Sequence, residues 1–285
     1  MEKDFTPKDI APFLEDVTDR AGRAIMSYYQ GKFQIDLKDS RPGGIDIVTD
    51  ADRASEDIIL EAIRNEFPQH DILTEERRTD STGSPWLWLV DPLDGTVNFA
   101  HGIPFFSVSV ALMHNGILMA GMVHDPIRME KFLAIRDGGA FLNGSSVRVS
   151  RADRFHHSLI ATGFPYDRAY STINNLTEFS RVLLRVQGIR RMGSAAIDLA
   201  YVSCGRLDGF WELKLKPWDM AAGMLLVQEA GGQVTNSSGK LTDVYTDSIV
   251  ATNGLVHDDL LDILSNKPFP AEDAPAGMQH LEKLP

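Results

Sequence analysis

Cysteine is almost absent from this sequence: Cys204 is the single one in 285 residues. That excludes an internal disulfide framework and any thiolate metal cluster, and it fits a reducing compartment. On an apparent helix face with Ile197 and Tyr201, Cys204 reads as a small buried hydrophobe. Long hydrophobic runs are also missing. No stretch approaches the roughly 20 apolar residues of a membrane span, and Met1-Glu2-Lys3-Asp4-Phe5 has no apolar signal region. The expectation is a soluble, cytoplasmic protein. Positive charge is in deficit, 28 Lys and Arg against 40 Asp and Glu, for a formal net charge of −12. This argues against nucleic acid or an anionic membrane as the main partner. An acidic protein can still bind phosphate if metal ions offset the repulsion. His101, His114, His124, His156, His157 and His257 lack metal-ligand spacing and read as surface or structural residues. Internal repeats and low-complexity linkers are absent.

What the chain does have is centred on residues 86–106. The apolar run 86–90 has the length and composition of a buried strand. Pro92 cannot donate to a sheet ladder and biases Asp91 away from helix, so the strand is expected to end at Asp91-Pro92. Asp94, Gly95 and Thr96 follow, setting two carboxylates, a permissive glycine and a hydroxyl at the strand's mouth. Carboxylate and carbonyl oxygens suit Mg²⁺ or Mn²⁺. A Gly-Thr step into a helical turn can aim backbone N–H groups at an anion. Asp-Pro and Asp-Gly are equally common turn dipeptides, so the hexapeptide alone leaves both readings open.

The remaining chain reads as follows. Thr6-Pro7 starts an amphipathic helix carrying Ile10, Phe13, Leu14, Val17, Ala21, Ala24, Ile25 and Tyr28 on one face, with Gly31 as its stop. Short strands at 35–37 and 45–49 flank a loop at 38–44. A second helix, capped at or near Asp50, turns Ala54, Ile58, Ala62 and Ile63 inward. Asp52 lies in its first turn, where an acid is favourable in any case. Residues 71–76 form a strand running into Glu75 and Glu76, which alone would read as a solvated cluster with Arg77 and Arg78. Strands at 106–113 and 117–124 join through Asn115-Gly116, a strong hairpin signal. Strands at 131–136 and 147–150 follow, with a tight turn at Asn143-Gly144.

After Arg151-Ala152-Asp153 the rhythm changes to alternating strand and helix, which implies an α/β layer. Strands are expected at 159–162, 190–194, 207–213, 233–236 and 248–251, and helices at 173–186, 195–204, 217–230 and 255–264. The expected class is mixed α+β and α/β. An N-terminal domain over 1–152 holds two helices and a largely antiparallel sheet. A smaller α/β domain spans 153–267, and 268–285 is a Pro-, Ala- and acid-rich tail expected to be disordered.

Asp91-Pro92-Leu93-Asp94-Gly95-Thr96-Val97-Asn98-Phe99, with Trp218-Asp219-Met220-Ala221-Ala222-Gly223 far downstream, resembles the two signatures of the inositol monophosphatase family. That family belongs to the Mg²⁺-dependent, lithium-sensitive phosphatase superfamily. The resemblance runs from about Ile10 to Leu264 and includes Leu73-Thr74-Glu75-Glu76, Phe141-Leu142-Asn143-Gly144, Thr162-Gly163-Phe164-Pro165 and Arg191-Met192-Gly193-Ser194-Ala195. It implies a layered αβαβα sandwich and two or three Mg²⁺ per site, with Mn²⁺ as a substitute. The implied ligands are Glu75, Asp91, Asp94 and Asp219 and the Leu93 carbonyl. Thr96, with Asp52 behind it, matches the pair that orients or deprotonates the attacking water, and Glu75 joins them as a catalytic acid. Gly95 and Thr96 would bind phosphate. Gly193, Ser194, Ala195 and Glu212, with Asp94 and Asp219, match the wall contacting substrate hydroxyls, and Lys38 a mobile-loop lysine near the third metal. The loop after Lys38 looks longer here than in the family's shorter members.

The resemblance further implies a cytoplasmic homodimer acting on a small phosphorylated polyol or sugar. Inositol monophosphate is the first choice, because the Glu212 carboxylate accepts from hydroxyls. Fructose 1,6-bisphosphate, the 3′-phosphate of adenosine 3′,5′-bisphosphate, NADP and histidinol phosphate are alternatives within the superfamily. A regulatory binding protein without turnover is the reading from another class. It would be marked by degenerate ligand positions, and every mapped position here carries an oxygen ligand.

Overall fold

The computed structural model describes residues 10–38, 45–77 and 82–265. The expected cap at Thr6-Pro7, the loop at 39–44, Arg78 and the tail after Lys267 lie outside the described residues.

Two helices form the outermost layer. Helix α1 (Ala11–Tyr28) buries one stripe, including Leu14, Val17, Ala21 and Ile25, as its periodicity requires. Helix α2 (Asp50–Glu66) begins at a capping box. Thr49 is the N-cap, its hydroxyl accepts from Ala51 N–H, and the Asp52 carboxylate accepts from Thr49 N–H. Its inner face differs from the expected one. Ala54 and Ile58 are only half-buried, while Asp52, Ser55, Glu56, Ile59 and Leu60 are buried. The rotation follows from polar anchors that an apolar count does not see. Ser55 Oγ donates to Pro92 O, and Glu56 Oε1 accepts from Thr74 Oγ1.

Beneath lies a seven-stranded sheet in sequence order, β3 (Asp71–Thr74), β4 (Trp86–Asp94), β5 (Ser107–His114), β6 (Ile117–Asp125), β7 (Glu130–Ile135), β8 (Gly139–Leu142) and β9 (Ser145–Ser146). All its pairs are antiparallel except β3 with β4. A separate two-stranded ribbon pairs β1 (Ile35–Leu37) with β2 (Ile47–Thr49). Asn115 and Gly116 both take positive φ, the conformation a two-residue hairpin turn demands. The expected strand at 147–150 does not form. There the Val149 N–H donates to Ala230 O and leaves the ladder after the short β9.

The second sheet has strand order β11–β10–β12–β14–β13. It is built from β10 (Leu159–Thr162), β11 (Gly188–Arg190), β12 (Gly209–Leu213), β13 (Gln233–Thr235) and β14 (Ser248–Thr252). Helices α5 (Ala195–Ser203) and α6 (Pro217–Glu229) contact strands of both sheets. Their sequences explain this middle position. Met220 to Val227 are buried without a break, and a helix apolar on every side belongs inside. Helices α4 (Leu176–Leu183) and α7 (His257–Leu264) cover the far face, where a third apolar cluster gathers Trp211, Val250 and Leu260. The layers therefore run αβαβα. Helix α4 is shorter than expected because Asn175 at its start takes a positive φ of 68° and commits its side chain to neighbouring strands. No helix among the described residues is long and apolar enough to cross a membrane.

Candidate active site

Strand β4 does not stop at Asp91. It continues through Pro92 to Asp94, with a register shift in which Asp91 pairs Ser109 and Asp94 pairs Ser107. Three steps on β4 thus match two on β5, which is a bulge, and proline is tolerated there because the extra residue makes no ladder bond. In a regular strand, residues three apart face opposite sides. The extra residue cancels that, and Asp91 and Asp94 both line one cavity of about 440 Å³. Asp91 Oδ1 accepts from Leu93 N–H at 3.1 Å, closing the bulge on itself.

The other acids arrive on separate elements. Glu75 follows β3, and its N–H donates to Val90 O at 3.2 Å, which sets it beside Asp91. Asp219 is the third residue of α6, its carboxylate accepting from Lys216 N–H at 2.7 Å. Ser109, the ladder partner of Asp91, bonds Trp218 O at 3.4 Å and so draws the start of α6 to the bulge. Asp94 Oδ2 accepts from Ser194 Oγ at 2.6 Å and Ala196 N–H at 2.8 Å, which fixes the start of α5 in the same way. Burial pushes the Asp91 carboxyl well up, and the Glu75, Asp94 and Asp219 charges push it further. Burial likewise raises Asp219 well above the usual range, with Glu75 as the next cause. Asp94 is pushed up to about 6 by burial, against the Ser194 and Ala196 bonds.

Lys38 sits among these acids, 2.6 Å from Glu75 and 2.5 Å from Glu76. Burial alone would lower its ammonium, but the two carboxylates overcome this and hold it well above the ordinary lysine value. Glu76 is not the solvated acid expected from sequence: its side chain is 8% exposed, and burial followed by the Glu75 charge pushes it up to about 8.

Gly95 precedes the short helix α3 (Thr96–Ala100) with φ +93°, a conformation glycine adopts without strain, and a Cβ there would approach Phe105 O to 3.0 Å. Thr96 Oγ1 lies 2.9 Å from Asp52 Oδ1 and 2.9 Å from Leu93 O. Asp52 is fully buried behind Thr96, and Thr49 N–H and Oγ1 donate to its Oδ2 at 2.8 and 2.5 Å. Burial raises Asp52 to about 6 in spite of these bonds.

Gly193, Ser194, Ala195 and Glu212 line the same cavity. Every residue expected from sequence is therefore at this cavity or, for Asp52, directly behind Thr96. No histidine among the described residues lines the cavity. His124 bonds Thr18 O, and His257 lies between Thr235 and Thr252. Cys204 is half-buried against the apolar cluster between the sheets.

Comparison with known proteins follows the same lines. The sequence model of the inositol monophosphatase family matches residues 7–267. The chain belongs to the inositol monophosphatase family. It is 44% identical over 268 residues to an inositol-1-monophosphatase of Synechocystis sp., covering 93% of this chain and 92% of that one. It is 46% identical over 213 residues to the Nus factor SuhB of Pseudomonas aeruginosa, covering 73% and 79%. Among solved structures, an inositol monophosphatase from Anabaena (Nostoc) sp. superposes with a TM-score of 0.81 at 39% identity, covering 93% of this chain and 100% of that one.

Family membership raises the question whether the acids fit a metal. The donors of Glu75, Asp91, Asp94 and Asp219 are all oxygen, as hard divalent cations require, and the neighbouring acids push both Asp91 and Asp219 up. The donor chemistry fits such an ion, although among the described residues no group of three or more acids or histidines is placed to hold a metal ion. Tyr166, Asp167, Asp198, Lys214, Leu215 and Lys216 also line the cavity, and none of them was singled out from the sequence. Only Asp198, an acid in the first turn of a helix, carried even a weak signal. The Thr49-x-x-Asp52 capping pattern was visible and would have pointed to a buried, bonded Asp52.

Proposed function

We propose that this family member hydrolyses a small phosphate monoester, with inositol monophosphate as its substrate and Mg²⁺ as its cofactor. The observation carrying this reading is the meeting of Glu75, Asp91, Asp94, Asp219 and Thr96 in one cavity faced by Glu212.

The side chains of Glu75, Asp91, Asp94 and Asp219 and the Leu93 carbonyl would hold two or three Mg²⁺ or Mn²⁺ ions, which when bound supply Lewis-acid activation of water and offset charge on the leaving oxygen. The chain's own groups do the rest. Thr96 accepts a hydrogen bond from the attacking water, with its own hydroxyl proton directed to Asp52. Glu75 borders the same water and gives it a second acceptor. The Gly95 and Thr96 N–H groups hold the phosphate, helped by the positive ends of α5 and α6. Water's oxygen bonds phosphorus in line with the leaving alkoxide; one of the water's protons passes through Thr96 to Asp52, the other stays on the phosphate, and the departing alkoxide takes a proton from solvent. Gly193, Ser194, Ala195 and Glu212 receive the hydroxyls of the leaving alcohol, and the Glu212 carboxyl, which keeps acceptor capacity even when protonated, selects a polyol.

Phosphate release from a panel tests this: inositol 1-phosphate, fructose 1,6-bisphosphate, adenosine 3′,5′-bisphosphate, NADP and histidinol phosphate. Inositol 1-phosphate is expected to lead. A tenfold preference for a nucleotide would overturn the substrate choice. The name Nus factor borne by the Pseudomonas relative favours a second reading, a regulatory protein without turnover. Absence of Mg²⁺-dependent release from every panel member would establish that reading instead. Lithium inhibition and a homodimer belong to the first reading, checked by inhibition assay and light scattering.

A further inference from the structure

Glu212 is held in an unusual way. A Cβ built on Gly163 would fall 2.1 Å from Glu212 Oε2, 2.2 Å from Oε1 and 2.3 Å from Cδ, so the Glu212 carboxyl lies flat on the Gly163 backbone. Gly163 does not adopt a positive φ, so its backbone would accept any residue. The Glu212 head group is what a side chain there would meet first.

The floor under that head group cannot retreat. Asn175 Nδ2 donates to Gly163 O at 2.6 Å and to Thr162 Oγ1 at 2.8 Å. Asn175 Oδ1 accepts from Trp211 Nε1 at 2.6 Å, and Thr162 Oγ1 donates to Trp211 O at 2.7 Å. Thr162, Asn175 and Trp211 are all at most 1% exposed, and Trp211 immediately precedes Glu212 on β12. The network ties the end of β10 to the strand that carries Glu212. A methyl group at 163 would therefore displace the flexible carboxyl rather than the backbone.

Asp198 borders the same cavity from α5. It is 1% exposed, and its Oδ1 has no hydrogen-bond partner among the described residues. An ionised carboxylate so placed is costly to bury, whereas the neutral acid carries a proton it can donate. Burial and then the Glu212 charge push Asp198 well up, and burial pushes Glu212 up to about 8.

We propose that Gly163 is a positioning residue that seats Glu212, with Asp198 as a second, buried polar group on the same cavity wall, and that the two set the preference for a hydroxyl-bearing leaving group. Gly163 supplies the flat floor, and Asp198, as a neutral acid, supplies a hydrogen-bond donor on the wall beside it. This rests on the reading above in which Glu212 accepts substrate hydroxyls.

The test compares kcat and KM for inositol 1-phosphate and p-nitrophenyl phosphate in Mg²⁺, using the full chain and its Gly163→Ala, Glu212→Ala, Asp198→Ala and Asp198→Asn variants. Gly163→Ala should lower the preference for inositol 1-phosphate about tenfold, mainly through KM, the scale of one hydrogen bond to a charged group. Its thermal midpoint should stay close to wild type, because only a side-chain end yields. In the Glu212→Ala background, Gly163→Ala should add nothing further. Asp198→Ala should lower the same preference severalfold, and Asp198→Asn, which keeps a neutral donor, should restore most of it. If the Gly163 and Glu212 effects multiply, the seat is refuted, and if Asp198→Asn is as damaging as Asp198→Ala, the donor role of Asp198 is refuted, while in both cases the hydroxyl wall stands. If Glu212→Ala leaves the preference intact, or wild type does not turn over inositol 1-phosphate, the functional reading fails and the seat with it.

Discussion

Replacing Thr96 with valine removes a single oxygen and keeps the shape. That oxygen lies 2.9 Å from both Asp52 Oδ1 and Leu93 O, and one hydroxyl proton serves only one of them at a time. Asp52 keeps its two Thr49 donors at 2.8 and 2.5 Å, so it should stay in place. The stability cost is then that of one buried oxygen left without a partner, about 1–3 kcal/mol. Such a loss lowers the thermal midpoint by several degrees and leaves the protein folded at 25 °C. The cost to turnover should be far larger. Loss of the group that orients or deprotonates the attacking water lowers kcat by roughly 10²–10⁴. KM should change little, because the phosphate is held by backbone N–H groups that valine retains. Asp52→Asn should fall in the same range, and the double variant no lower than the worse single one, as for groups that act as a unit. Phosphate release with saturating Mg²⁺, beside thermal unfolding of each variant, reads all of this. A Thr96→Val enzyme within threefold of wild type, or multiplying effects of the two substitutions, would refute the pairing.

Three further outcomes are expected. Asp91→Asn should reduce Mg²⁺-dependent turnover by more than about a thousandfold, since activated water depends on the ion centre. It should also raise the thermal midpoint of the metal-free protein, because Asp91 is buried against Glu75, Asp94 and Asp219; a lower midpoint would argue against that repulsion. Asp52 and Asp94 are raised to about 6, and Glu76 and Glu212 to about 8. The native state therefore binds more protons than the unfolded chain from about pH 4 upward, and metal-free stability should fall as pH rises through 4–8. Mg²⁺ should close that gap, by about 2.7 kcal/mol at a hundredfold its Kd. A metal-free midpoint that rises from pH 5 to 8 would contradict the sign. Asn175→Ala, which strips three buried hydrogen bonds and leaves Trp211 Nε1 without its acceptor, should cost about 3 kcal/mol or more in denaturant unfolding.

Most helices and strands were legible because period and composition carry them, while the layering came with the family resemblance. The one-sided stripe of α1 reads as an amphipathic helix against a core. Asn115-Gly116 gave its hairpin directly. The misses share a cause, which is that a tertiary bond overrides local preference. Pro92 should have ended β4, but the bulge absorbs it and puts Asp91 and Asp94 on one side. The inward face of α2 is turned by Ser55 and Glu56 finding partners on the sheet, which an apolar count misplaces. Asn175 shortens α4 for the benefit of Gly163 and Trp211. At the site, Asp91 and Asp94 were readable as a candidate pair from their local pattern, while Glu75 and Asp52 had bland local readings and needed the resemblance to join them. Asp219 needed the resemblance to join them, since 125 residues separate it from Asp94. Asp198 carried only the weak signal of an acid in a helix's first turn, and Gly163 only its place in a matching segment, because their significance lies in what stands next to them in space.

The most direct test is an anomalous difference map from a crystal of the protein soaked in Mn²⁺ with phosphate. Expected are two or three peaks within coordination distance of Glu75, Asp91, Asp94 and Asp219, with the phosphate against the Gly95 and Thr96 N–H groups. Peaks elsewhere, or a site in which Asp219 contributes to none of them, would contradict a shared cation centre.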